Sequence, residues 1–191
     1  MGKFKESRTA HNLLTSFAFE SQANMRYRFF AGQAETDGYM QIAHIFRETA
    51  EQEYEHALRF FKFFNGGELE ISARFPTGVI RGTRDNLLSS ADLERRVGTE
   101  LYPEFAAVAR EEHFERAAEL WDAITIAERH HEKSFLQLAD NLLTGRIFQR
   151  EQAVVWRCRN CGFLHRGPQA PDKCPACVRP AGYFELLAEN W

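Results

Sequence analysis

The stretch ITIAERHHEKSF, residues 124–135, carries a Glu-x-x-His pair, Glu128 and His131, followed four residues later by Phe135. The stretch TAEQEYEHALRF, residues 49–60, repeats that arrangement with Glu53, His56 and Phe60. On an α-helix, residues three apart share a face, so the Glu and His of each pair project the same way. A single such pair is ordinarily a solvated surface. Phase changes the reading. Alternating steps of three and four give Ala117, Trp121, Ile124, Glu128, His131, Phe135, Leu138 and Leu142 in one run, and Ile42, Ile45, Thr49, Glu53, His56, Phe60 and Phe63 in the other. Two further runs follow the same rule: Leu13, Phe17, Glu20, Asn24, Tyr27 and Ala31, then Leu87, Ala91, Glu94, Gly98, Leu101, Phe105 and Val108. In all four the apolar seam is interrupted near mid-length by a Glu or a Glu-x-x-His, at positions that should line a helical core.

Residues 1–146 read as helix in nearly every window. Asp37-Gly38 is a short break and Asn65-Gly66-Gly67 a helix stop, followed by Phe75-Pro76-Thr77-Gly78 and Gly82, a stretch too long for a tight hairpin. A third helix is expected from near Thr83 and a fourth from between Phe114 and Ala117, ending by Gly145. This predicts an all-α, four-helix, ferritin-like bundle with a long crossover between helices 2 and 3. Glu20 precedes Glu53 by 33 residues and Glu94 precedes Glu128 by 34, so the halves read as related hairpins. Pro103 predicts an irregularity between Gly98 and Pro103.

Burying four carboxylates costs several kcal/mol per ion even after relaxation, which a domain stable by only about 5–15 kcal/mol does not tolerate uncompensated. No Lys or Arg occupies a central seam position. Two divalent metal ions would balance Glu20, Glu53, Glu94 and Glu128, with His56 and His131 as neutral nitrogen ligands. Mixed carboxylate and imidazole donors suit iron or manganese better than calcium or structural zinc. Tyr27 and Tyr102 lie near this layer, placed either to orient a carboxylate or to fill the core. Glu48, Glu51, Glu55, Glu132, His11, His44 and His113 fall off the central positions and are expected in solvent, with His130 at the surface or behind His131.

The 191 residues allow one ordinary domain and one small one, and 17 Phe supply apolar area that argues against disorder. A net charge of −3 argues against a nucleic-acid partner. No apolar run approaches the roughly 18–20 residues of a membrane span, and the start MGKFKESRTAHN has no apolar signal core, so a cytoplasmic protein is expected. All four cysteines fall between Cys158 and Cys177. The chain thus divides into a bundle, 1–146, and a small four-cysteine module, 147–191. Cys158-x-x-Cys161 and Cys174-x-x-Cys177 form two thiolate hairpins around one tetrahedral ion, in a zinc ribbon or a rubredoxin-like β module. Trp156, Phe163, Tyr183, Phe184 and Trp191 are candidates for its small aromatic core, and the metal should contribute much of its stability. The redox-capable site beside it favours iron over zinc.

Together these residues resemble the rubrerythrin family over the whole chain. The resemblance implies a di-iron bundle, two iron ions held by Glu20, Glu53, His56, Glu94, Glu128 and His131, joined to a rubredoxin-like domain with one iron on Cys158, Cys161, Cys174 and Cys177, where zinc or manganese could substitute. It also implies a homodimer, with the module of one subunit near the di-iron centre of the other. The implied activity is reduction of hydrogen peroxide to water in oxidative-stress defence, with Tyr27 counted among the catalytic groups. Electrons would be relayed through the tetrathiolate iron from an NAD(P)H-linked reductase or from rubredoxin, since the chain has no Gly-rich nucleotide loop. One position departs from the family. A further Glu usually follows the third-helix ligand by three residues and exchanges with the His of the first pair as the iron changes oxidation state, whereas this chain has Val97. Glu100 replaces it only if the Gly98–Pro103 irregularity turns it inward. The alternative activity, favoured by Val97, is a ferroxidase or oxygen-reducing oxidase.

Overall fold

The computed structural model describes residues 2–190, so the expected place of Trp191 in the aromatic core lies outside the described residues. A short helix α1 (Gly2–Lys5) precedes α2 (Arg8–Thr36) and α3 (Met40–Phe61), which pack as one antiparallel hairpin. After the crossover come α4 (Thr83–Arg96), a π-helical turn (Val97–Leu101), α5 (Tyr102–Glu111) and α6 (Glu115–Leu143), where α4, the π turn and α5 form one continuous rod against α6. α3 stops at Phe61, a few residues before Gly66 and Gly67, which both take positive φ.

The seams are buried as expected. Leu13, Ile42, Leu87, Ala117, Trp121 and Phe135 are fully inaccessible, and so are Glu53 and Glu128. Helix starts are tied across the bundle. Backbone N–H groups at the start of α2 find no partner within their own helix. Glu112, from the α5–α6 turn, accepts from the backbone N–H of Arg8 and Thr9 at 3.1 and 2.8 Å. Asp37, from the α2–α3 turn, accepts from the Thr83 N–H at the start of α4 at 2.9 Å.

These contacts reveal a duplication deeper than the Glu spacing suggests. Thr9 and Thr83, Leu13 and Leu87, Ser16 and Ser90, and Glu20 and Glu94 are each 74 residues apart. Tyr27 and Tyr102, Asp37 and Glu112, Gly38 and His113, Phe46 and Trp121, Glu53 and Glu128, His56 and His131, and Phe60 and Phe135 are each 75 apart. One extra residue therefore lies between Glu94 and Tyr102, and the π turn absorbs it: the Tyr102 N–H bonds to the Val97 carbonyl, five residues back. This is the irregularity expected from Pro103.

Aromatic layers sandwich the carboxylates with the same two-fold logic. Tyr27 and Phe46 pack on Phe135 at 5.3 and 5.2 Å, and their counterparts Tyr102 and Trp121 pack on Phe60 at 5.6 and 5.9 Å. The crossover, 62–82, runs over the outside of α2, where Phe75 packs on Phe19 at 4.7 Å and the Arg26 guanidinium donates to the Pro76 carbonyl at 2.8 Å.

The C-terminal module is a three-stranded antiparallel sheet in the order β2-β1-β3, with β1 (Gln149–Cys158), β2 (Leu164–Gln169) and β3 (Phe184–Leu186). Trp156 and Phe184 fill its core with Ala170, Cys158 and Cys174, while Phe163 and Tyr183 are partly buried against it. It seats on the α2–α3 turn of its own bundle. Phe148 stacks on Tyr39 at 6.1 Å, and a Cβ on Gly182 would collide with the Gly38 carbonyl oxygen.

Each Cys-x-x-Cys loop closes with a left-handed residue four positions after its first cysteine, Gly162 (φ 79°) in one and Val178 (φ 56°) in the other. A β-branched residue is poorly suited to that region. Val178 is largely exposed, so nothing is gained by its side chain in the core. Val178→Gly is expected to stabilise the metal-loaded module by about 1 kcal/mol, read from denaturant melts of the full chain. Unchanged or lowered stability would remove the strain argument.

Candidate metal centres

Four helices deliver the acidic cluster: Glu20 from α2, Glu53 and His56 from α3, Glu94 from the end of α4, and Glu128 and His131 from α6. Their donor atoms form two overlapping sets, Glu20, Glu53, His56 and Glu128 in one, Glu53, Glu94, Glu128 and His131 in the other. Glu53 and Glu128 belong to both. His56 Nδ1 lies 3.0 Å from Glu53 Oε2 and 3.1 Å from Glu128 Oε1, whereas His131 Nδ1 lies 3.0 Å from Glu53 Oε1 and 3.1 Å from Glu128 Oε2. Each of these carboxylates thus turns one oxygen toward each histidine, the disposition of a bridging ligand. Glu20 and Glu94 close the two ends. The phenol of Tyr102 donates to Glu20 and that of Tyr27 donates to Glu94, so each rod anchors the terminal carboxylate of the other.

The π turn makes that exchange possible. Tyr27 follows Glu20 by seven residues, about two full turns, and so stays on the seam. Tyr102 follows Glu94 by eight and on an unbroken α-helix would sit about 80° away from it. Gly98 serves the same region, because a Cβ there would approach Glu128 Cβ to 3.1 Å.

In the absence of a cation the electrostatics of the cluster favour protonation. Burial by itself lowers His56 and His131, but hydrogen bonds to Glu128 and Glu53 outweigh it and hold the two imidazoles up at about 10 and about 9. Burial, and then the Glu128 charge, pushes Glu20 and Glu94 well above the usual carboxylate range. Burial also raises Glu128, yet its bonds to His131 and His56 prevail and keep it ionised. Without a bound cation the two imidazoles and the two terminal carboxyls all favour their protonated forms, the direction in which a coordinated ion would have to compete. Each Nδ1 bonds one carboxylate oxygen, His56 to Glu53 Oε2 and His131 to Glu128 Oε2, and only faces the other, so Glu53 Oε1 and Glu128 Oε1 are buried without a hydrogen-bond partner, an unusual cost that a coordinated ion would remove.

The thiolates form a second candidate centre. Cys158 and Cys177 Sγ are 3.7 Å apart and Cys161 and Cys174 Sγ 3.6 Å, close to the edge of about 3.8 Å of a tetrahedron with metal–sulfur bonds of about 2.3 Å. Backbone N–H groups of Phe163 and Arg179 point at the sulfurs of Cys161 and Cys177, and those of Asn160 and Cys161 at Cys158. All four cysteines are free of disulfides. Residues 11–139 match the family model described as Rubrerythrin, and residues 156–185 match the one described as Rubrerythrin, rubredoxin-like domain.

The chain belongs to the rubrerythrin family.

A rubrerythrin of Nitratidesulfovibrio vulgaris is 55% identical over 191 residues, covering all of both chains. One from Porphyromonas gingivalis is 47% identical over 187 residues, covering 98% of this chain and 94% of its own. A solved structure of nigerythrin in a mixed-valence state superposes with a TM-score of 0.64 at 27% identity, covering 95% of this chain and 90% of that one. With its two matched domains, the rubrerythrin assignment makes this an iron-binding chain, and the family is generally one of oxidoreductases.

All six residues expected to surround the ions converge in this rubrerythrin fold, and Tyr27 and Tyr102 meet the terminal carboxylates. Glu48, Glu51, Glu55, His44, His113 and His130 are exposed, whereas two residues expected in solvent are half-buried: Glu132, whose charge lies close enough to Glu94 to raise its pKa, and His11, which bonds to the Ser7 carbonyl at 2.8 Å. Val97 is buried in the apolar cluster around Tyr102 and Trp121. Glu100 stays exposed and pairs with Arg95 at 3.1 Å, so the π turn does not bring it inward. Two neighbours escaped sequence reasoning. Arg26, half-buried under the crossover, lies close enough to Glu94 to oppose the rise in its pKa. Gln52 Oε1 lies 2.9 Å from His131 Nε2.

Proposed function

We propose that this chain reduces hydrogen peroxide to water. The observation that supports this most is the pairing, in one chain, of a two-position carboxylate–imidazole cage with a four-thiolate site. Two iron(II) ions in the cage would supply one electron each, which with two protons convert hydrogen peroxide into two waters. Glu53 and Glu128 would bridge the two positions, with Glu20 and His56 completing one and Glu94 and His131 the other. The Tyr27 and Tyr102 hydroxyls hold the terminal carboxylates in place, and the aromatic layers on either side exclude water.

The four cysteines would hold one iron as a one-electron carrier, reloaded by an NAD(P)H-linked reductase or by reduced rubredoxin. Within one chain the module contacts the α2–α3 turn, whereas Glu53 lies 13 residues further along α3 from Met40, about 20 Å of helix. Electron tunnelling falls steeply over such a span. As the family resemblance implies, we place the module of a second copy beside the cage, in a homodimer. No helix among the described residues is long and apolar enough to cross a membrane, in keeping with a cytoplasmic setting as part of this proposal.

A second reading, ferroxidase or oxygen reductase, is favoured by the buried Val97 and the outward Glu100, which leave four Glu and two His. Stopped-flow oxidation of the diferrous protein separates the two. Peroxide is expected to react at least about ten times faster than dioxygen at equal concentration, a barrier difference of about 1.4 kcal/mol. The opposite order would replace the first reading with the second.

A further inference from the structure

The two aromatic layers that enclose the cage are copies of one another, so a difference between them is a difference between the two ends of the cage. One layer is built from Tyr27, Phe30, Phe46 and Phe135, and the other from their counterparts Tyr102, Phe105, Trp121 and Phe60, each 75 residues away. A single place differs: where one layer has Phe46, the other has the indole of Trp121. Phenylalanine gives up no electron to biological oxidants, whereas tyrosine and tryptophan do. The Tyr102 layer therefore holds two oxidisable rings and the Tyr27 layer one. Tyr102 and Trp121 both pack on Phe60, at 5.6 and 5.9 Å, and both on Phe105, at 6.3 and 5.7 Å, so about one ring's breadth separates them. Both are fully buried. The Tyr102 phenol donates to Glu20, and the indole N–H, which needs an acceptor when buried, donates to Ser16 Oγ at 2.9 Å. Ser90, the counterpart of Ser16, instead turns its hydroxyl to the Asn86 carbonyl at 2.8 Å. The indole thus comes with its own partner, in a core that the other layer completes with a phenyl ring.

We infer that Trp121, acting through Tyr102, is a reserve electron donor to the cage. This rests on the peroxide-reducing, two-ion reading proposed above. On that reading a fully reduced chain holds three electrons, two in the cage and one on the thiolate iron, whereas each hydrogen peroxide takes two. When the external reductant runs out, the last electron meets a second peroxide alone. By itself it would split peroxide into hydroxide and a hydroxyl radical, which attacks whatever lies nearest. Trp121 supplies the missing electron. The Tyr102 phenol gives up an electron as its proton shifts to Glu20. The indole then gives an electron to the phenoxyl, which takes the proton back, because a carboxylate bound to an ion keeps a proton poorly. In sum, hydrogen peroxide takes one electron from iron(II), one from Trp121 and two protons from solvent, and leaves as two waters, with the indole held as a radical cation. Reaching that state needs no proton to leave the ring, which suits an N–H committed to a serine hydroxyl rather than to a base. The next electron delivered through the thiolate iron restores the indole. Tyr27, packed on Phe46 and Phe135, has no oxidisable ring behind it.

The full-length, iron-loaded chain, completely reduced, mixed with hydrogen peroxide and rapidly frozen, provides the test by electron paramagnetic resonance. An organic-radical signal is expected with two equivalents of peroxide and not with one. It should narrow when the chain is made with ring-deuterated tryptophan, a measurement that needs no substitution. Trp121→Phe, which gives this layer the ring that the other carries at Phe46, should lose the signal at matched iron content. After repeated cycles of reduction and excess peroxide, mass mapping should find more added oxygen on the cage-lining side chains of that variant than on those of the unmodified chain. A signal that persists in Trp121→Phe, one that ring-deuterated tryptophan leaves unchanged, or none while the peroxide is consumed overturns the role of Trp121, and so does equal damage in the two proteins. If the fully reduced protein leaves the peroxide unconsumed, the reading of the cage as a peroxide reductase falls instead.

Discussion

Replacing Cys161 by Ser is expected to leave a single oxidation of the reduced cage by hydrogen peroxide unchanged while steady-state turnover with an NAD(P)H-linked reductase falls by about 100-fold or more. Cys161 is the cysteine to choose because it is exposed, whereas Cys158 and Cys174 are packed against Trp156 and Phe184. The substitution therefore alters the thiolate set without opening the module's core. The same variant should lose the red colour of a ferric tetrathiolate. Two measurements divide the outcome: a rapid-mixing trace of the pre-reduced protein and a steady-state assay. Undiminished turnover would mean that electrons reach the cage without the module.

Stripped of metal, the protein should become less stable as pH rises from 6 to 9. The sign follows from where each proton is bound. His56 and His131 have folded-state values of about 10 and about 9, above the 6.5 of a free imidazole, so the stability they confer is complete below 6.5 and is lost as pH climbs through the folded values. Glu20 and Glu94 are raised above 4.5 and act in the same direction, their contribution disappearing above the unfolded value. Glu128, held low, opposes this only under acid conditions, where its stabilising share is lost as pH falls. A single proton retained by the folded state costs about 1.4 kcal/mol per pH unit, or about 4 kcal/mol across the interval. That corresponds to a Tm lower by about 10 °C for a chain of this size. The metal-loaded form, its protons displaced, should not show the decline. A metal-free Tm that is level or rises over this range would show that the cluster does not store protons in the folded state.

Much of the architecture could be read from period and phase. Leu13, Glu20 and Tyr27, or Trp121, Glu128 and Phe135, fall on one stripe because a helix repeats its face every seven residues, and a Glu on such a stripe is hard to explain without an ion. The cysteines were legible because their spacing is itself geometry. Other features depend on contacts between elements. Nothing local tells that Tyr102 meets Glu20, since the partner lies on another rod and the pairing needs the π turn. Gln52 reads as one more polar residue on an exposed helix face until α6 is set beside it. Arg26 becomes relevant to Glu94 only when the crossover covers it. The left-handed Val178 gives no compositional sign, because glycine normally advertises such a turn.

Each hairpin carries half of the acidic cluster, Glu20, Glu53 and His56 on one side and Glu94, Glu128 and His131 on the other. Neither half can enclose an ion alone, and bringing them together forces like charges into a shared interior. Closing the two hairpins on one another therefore depends on what neutralises that interior, incoming cations or bound protons. Metal supply would then bear on closure of the bundle itself, as well as on the activity proposed for it.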